Sequence, residues 1–127
     1  MATTQRIDIE DSEVDRDDAQ RLLYRGDLFT GEVTEHLGGK LVSLDVYADG
    51  IQNGPTREWH MDGTPRSEGT VREGLPRGEF KEWHPNGTLA ARKVFSDDGL
   101  TLREEYRWNE DGRPTRSWRL DDHSQEP

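Results

Sequence analysis

Apolar and polar positions alternate in short stretches along this chain, at 56–60, 80–84, 89–95 and 104–108. Each stretch has the period of a half-buried β-strand, and no window carries an apolar stripe at helical spacing. Turn residues punctuate them. Asp62-Gly63, Asn86-Gly87 and Asp111-Gly112 accept the positive φ angles of a tight hairpin reversal. Asp49-Gly50, Asn53-Gly54 and Asp98-Gly99 mark the connections between hairpins.

The hairpin is a repeating unit. Gly54-Pro-Thr-Arg-Glu-Trp-His-Met-Asp-Gly-Thr stands over Gly78-Glu-Phe-Lys-Glu-Trp-His-Pro-Asn-Gly-Thr, 24 residues further on. Glu104-Glu105-Tyr106-Arg107-Trp108 leads into Asp111-Gly112 a further 25 residues on, with Arg103 where the glycine stood. A degenerate first copy runs from Gly31 to Gly38-Gly39, with His36 in the tryptophan place. A fixed period of this length is the signature of a repeat architecture, in which atypical outer copies act as caps. The chain is therefore expected to be all-β: four tandem β-hairpins at about 24–46, 47–70, 71–95 and 96–119. They should form an elongated, twisted antiparallel meander of about eight strands, mostly one layer thick.

Composition agrees with a thin sheet. Only 29% of the 127 residues are hydrophobic and 35% are charged, with a mean hydropathy of -1.09. That is too little apolar surface for a thick core along the whole length, while four Trp, three Tyr and three Phe argue against full disorder. Without cysteine, disulfides, thiolate metal sites and a cysteine nucleophile are excluded. The first 18 residues lack the apolar run of a secretory signal, and no stretch is long enough for a membrane-spanning helix, so a cytoplasmic protein is expected.

The net charge of -10 lies mainly at the two ends. Residues 1–20 carry -5 and residues 120–127 carry -3, leaving -2 for the middle. These ends read as a partly disordered acidic N-terminal arm and a disordered acidic tail. No basic stripe offers itself to a phosphate backbone, so a basic protein partner is favoured over nucleic acid.

Alternation puts Trp59 and Trp83 on one face, and Glu58, His60, Glu82 and His84 on the other. Trp59, Trp83 and Trp108 should form a row two strands apart, with Leu89 and Val94 as candidates to fill its gaps. The row serves packing between repeats, and its open side is a candidate partner-binding surface together with Glu58, His60, Glu82 and His84. As metal ligands these residues are poorly placed, because His60 and His84 should sit about 9–10 Å apart by strand spacing. No nucleophile elbow or phosphate loop occurs, since Gly74-Leu-Pro-Arg-Gly78 leads into a strand. No cofactor is expected.

Units of the form Gly-x-x-x-Gly-x-x-x-x-Trp-x-x-Asn/Asp-Gly resemble the MORN-variant repeat. The succession Leu28-Phe29-Thr30-Gly31, Arg57-Glu58-Trp59 and Lys81-Glu82-Trp83 resembles bacterial proteins of the YwqK family of toxin–antitoxin antitoxins, over about residues 22–118. The resemblance implies a non-enzymatic module that binds and neutralises a protein partner, such as a basic toxin or effector. Two alternatives stand beside it. One is a scaffold that forms homo-oligomers or contacts membrane lipid; the other is a metal-dependent enzyme using Glu58, His60, Glu82 and His84.

Overall fold

The structure, a computed structural model, describes residues 5–120. β1 (Arg6–Asp8) is followed by three short strands, β2 (Val14–Arg16), β3 (Leu22–Tyr24) and β4 (Asp27–Leu28), which form a small sheet of their own. The repeat region then supplies β5 (Gly31–Leu37), β6 (Lys40–Ala48), β7 (Ile51–Trp59), β8 (Pro65–Arg72), β9 (Leu75–Trp83), β10 (Leu89–Phe95), β11 (Leu102–Trp108) and β12 (Pro114–Arg119). These eight strands pair in chain order as the expected antiparallel meander, and β1 adds to β5 in parallel as a ninth. The sheet does not close into a barrel, and no helix occurs among the described residues.

The N-terminal segment read as a partly disordered arm contains β1 and β2. Residues 1–4, and the tail from 121 onward, lie outside the described residues. The hairpins run 31–48, 51–72, 75–95 and 102–119, so the expected unit bounds are offset by a few residues. The offset has a local cause. Asp49-Gly50 and Glu73-Gly74 both take two successive positive φ angles (49° and 79°, 51° and 83°), the backbone of a tight type I′ reversal. Asn53-Gly54, read from sequence as a connection, instead lies inside β7, where the β6–β7 ladder is irregular.

Glu73 holds a left-handed backbone without being glycine, which costs about 1–2 kcal/mol. Glu73→Gly is therefore expected to raise the melting temperature by a few degrees, as about 1 kcal/mol would in a chain of this size. An unchanged or lower Tm would contradict this.

The three main reversals are built differently from the type I′ turns. Only their glycines are left-handed, at 89° for Gly63, 88° for Gly87 and 83° for Gly112. In each, the residue after tryptophan donates its amide across the loop: His60 to Thr64 O, His84 to Thr88 O and Asn109 to Arg113 O. Beside each reversal one residue is left unpaired in the returning strand. These are Arg66, Ala90 and Thr115, with Val42 in the first hairpin. One bulge per repeat, always at the tryptophan position or its His36 equivalent, bends the hairpin there.

Cross-strand pairing fixes the faces. Glu35, Ser43, Glu58, Ser67, Glu82, Ala91, Arg107 and Arg116 are successive partners across all eight repeat strands, and so share one face. The core lies at the N-terminal end of that face. There Ile7, Leu22, Phe29 and Val33 are buried together, with Tyr24 and Tyr47 packed against them. The small sheet is thus a lid over one end of the glutamate face. Further along, Val71 and Ala91 are buried, and the Phe80 ring lies over Gly69 and edge-on to Phe95 at 5.4 Å. Most of the sheet has no second layer, which is why so few hydrophobic residues suffice.

Candidate functional site

The repeated Glu-Trp-His does three separate jobs. Its tryptophans stand opposite Pro65, Leu89 and Pro114 in their own hairpins, on the face away from the lid. Leu89 fills the gap expected of it. Val94 does not, because it pairs with Glu79 and Glu104 toward the other end of its strand. Trp59, Trp83 and Trp108 are all half-buried, and Trp108 stacks on Tyr106 at 6.3 Å.

The histidines are inter-repeat staples. His60 Nε2 lies 3.0 Å from the Trp83 carbonyl and His84 Nε2 lies 2.8 Å from the Trp108 carbonyl. A carbonyl oxygen can only accept, so in both rings Nε2 carries the proton. Asn86 adds a second staple, donating Nδ2 to the Glu110 carbonyl at 3.0 Å. Its equivalent Asp62 has no amide to donate. It instead accepts from the Thr64 hydroxyl and amide, which hold its carboxyl below the usual range. At the histidine offset the last copy carries Asn109, whose side chain closes its own turn by accepting from the Asp111 and Arg113 amides. From sequence Asn86 was read as a turn residue only, although the Asp/Asn difference at this offset was visible there.

His84→Ala removes one such staple at a half-buried site. It is expected to cost about 1 kcal/mol, the net worth of a typical protein hydrogen bond. Urea denaturation would read this as a lower midpoint, and a loss below a few tenths of a kcal/mol would show that the staple is incidental.

The glutamates lie on the opposite face, lidded at one end. Glu58 accepts from Ser67 Oγ at 2.7 Å, and Glu82 lies 3.5 Å from Lys93 Nζ. A 420 Å³ groove beside them includes Thr56, Val71 and Phe80. The tryptophan face has its own groove of 320 Å³, at Lys40, Leu41, Trp59 and Met61. The seven residues expected to meet a partner are therefore divided between two faces and a row of loops. No group of three or more His, Asp or Glu side chains could hold a metal among the described residues, and both histidines spend Nε2 on the backbone.

Several carboxylates are held below their usual range by fixed donors. The Glu10 amide and His36 act on Asp8, the Ser96 hydroxyl on Asp98, and Arg92 on Glu79. Burial raises Glu105, but Arg107 and Arg116 outweigh it. Depressed folded-state values contribute stability that is complete above the unfolded carboxylate range, near pH 4, and is lost as pH falls through the folded values. Melting temperature should be level from about pH 8 to 5 and fall below about pH 4. A maximum near pH 3 would contradict this.

The class defined by these features is an open, tandem β-hairpin repeat sheet with a small N-terminal lid. Compared with protein-family models, curated proteins and solved structures, the chain matches none.

Proposed function

We propose that this chain is a non-enzymatic protein-binding repeat module, acting in the cytoplasm as an antitoxin or immunity-like protein that covers the working surface of a basic partner. The observation that carries this reading is the uncovered face bearing Trp59, Trp83 and Trp108 in one register. Half-exposed aromatics in a row are the side chains that dominate protein interfaces. The MORN-variant resemblance in the same residues supports the reading.

The acidic N-terminal segment takes a different part from the one its sequence suggests. Because the lid packs on the glutamate face, only Asp8, paired with His36, reaches the first position of the tryptophan face, and the acids of β2–β4 do not extend it. They act at long range instead, with the net charge of -10 steering a basic partner into encounter. The test is co-expression with candidate basic toxins encoded beside this gene, followed by binding at rising salt. Rescue of growth, with an association rate that falls as salt rises, is the expected result. Failure of every neighbouring product to be rescued or bound would overturn the antitoxin reading.

One observation favours a second reading, a self-associating scaffold. Among the described residues β12 is a free sheet edge whose six residues are all exposed, and such edges accept further strands. Light scattering over a hundredfold concentration range separates the two, since only the scaffold gains mass with concentration.

No helix among the described residues is long and apolar enough to cross a membrane.

A further inference from the structure

The tryptophan face has a spacing that selects a particular kind of ligand. Trp59, Trp83 and Trp108 occupy equivalent positions in β7, β9 and β11, so neighbours are two strands apart, about 9.5 Å. None of their indole N–H groups donates to a protein acceptor among the described residues, so these are donors left to solvent. The row therefore offers a half-exposed indole and a free N–H donor at each step of about 9.5 Å.

A polyproline II helix rises about 3.1 Å per residue with three residues per turn, giving a repeat of about 9.3 Å. Its backbone makes no internal hydrogen bonds, so a carbonyl is free to accept at every turn. Along the tryptophan face, each turn would set one proline ring against an indole and one carbonyl toward an indole N–H. We infer that this face is a docking surface for a proline-rich segment of the partner, held in the polyproline II form across β7, β9 and β11. The inference rests on the protein-binding reading above and names the element of the partner that is recognised.

Charge beside the row says what should flank the prolines. Arg57 stands two residues before Trp59 on the same face and has no ion-pair partner among the described residues. Lys40 lines the groove at Trp59, and Lys81, two residues before Trp83, is 3.4 Å from Glu79. Further along the same face Glu68 stands opposite Arg57 and Lys81, and Glu79 and Glu104 pair with Arg92. Arg57 and Lys40, at the Trp59 end, are thus the cations outside ion pairs among the described residues of this face. An acidic residue flanking the prolines complements Arg57 and Lys40, and the partner's overall positive charge complements the rest of the molecule.

The test is a titration of the whole chain with three capped peptides, followed through the indole N–H resonances. The peptides are nonaproline flanked by aspartates, nonaproline flanked by lysines, and a glycine-serine chain of equal length. Trp59, Trp83 and Trp108 should shift together with the aspartate-flanked peptide, leaving Trp118 unmoved, and shift less with the lysine-flanked one. The glycine-serine chain should shift none of them. Trp83→Ala should weaken binding tenfold or more, as truncating a central aromatic anchor does. Because that variant empties a half-buried position, Trp83→Phe is the control: it keeps a ring but loses the N–H, and should weaken binding about fivefold.

No shift of the three indoles at millimolar peptide overturns the inference, as does equal binding of the glycine-serine chain. Shifts produced by cellohexaose and not by the proline peptides would also overturn it, assigning the row to a sugar chain. If a captured partner still binds the chain when the proline peptides do not, only this inference fails and the protein-binding reading stands.

Discussion

Leu22→Ala is expected to lower the unfolding free energy by about 3 kcal/mol, within the 2–5 kcal/mol range for emptied aliphatic core sites. Leu22 has no exposed surface and sits with Ile7, Phe29 and Val33 in the cluster that joins the lid to the sheet. Ile7 comes from β1, Phe29 from the connection after β4 and Val33 from β5. A core of four buried residues has few others to redistribute into the space, so little of the cavity should collapse. Urea unfolding would measure the loss, and a value under about 1 kcal/mol would show that the lid contributes little to stability.

Gly50→Ala should be comparably damaging, at about 2–4 kcal/mol, from left-handed strain together with two hydrogen bonds put at risk. Gly50 has φ 79°, and a Cβ there would lie 2.9 Å from the Leu22 carbonyl oxygen, the Arg21 Cβ and the Leu28 Cδ2. Its carbonyl accepts from Leu22 N at 2.8 Å and its amide donates to Phe29 O at 2.8 Å. The tight turn between the first two repeats is thus also the point where the lid is tied down. The expected signature is local. Hydrogen exchange should accelerate at Leu22 and Gly50 while the amides of β8–β11 stay protected. Uniform acceleration along the sheet would mean that the lid and the repeats unfold as one unit.

The contrast between these two sites shows what sequence could and could not reveal. The eight-stranded meander was legible because Gly, Glu, Trp, His, Gly and Thr recur at fixed offsets, and alternation assigned the tryptophans and glutamates to opposite faces. The lid was not legible. Its strands are two or three residues long, and its acids gave residues 1–20 the composition of a solvated arm. Leu22 lies just before the first repeat as read from sequence and Phe29 within it, whereas packing with Ile7 and Val33 makes both core. Asn53-Gly54 misled for a different reason. The dipeptide has turn chemistry, but Gly54 uses its positive φ of 142° within β7, where a Cβ would press on Val46.

The candidate site was legible in its residue types more than in its arrangement. His60 and His84 recur because each bridges to the next repeat's backbone, a role that spacing alone cannot distinguish from ligation. In the last copy Asn109 takes their offset and caps its own turn instead, accepting from the Asp111 and Arg113 amides.

The central claim is that the uncovered tryptophan face receives a protein partner. The most direct measurement is a hydrogen-exchange and indole-resonance footprint of this chain bound to its purified partner. The account predicts protection and shifts centred on Trp59, Trp83 and Trp108 and on the strands that carry them, with the glutamate face and lid unchanged. A footprint confined to the lid, to the glutamate groove at Val71 and Phe80, or to the β12 edge would contradict it.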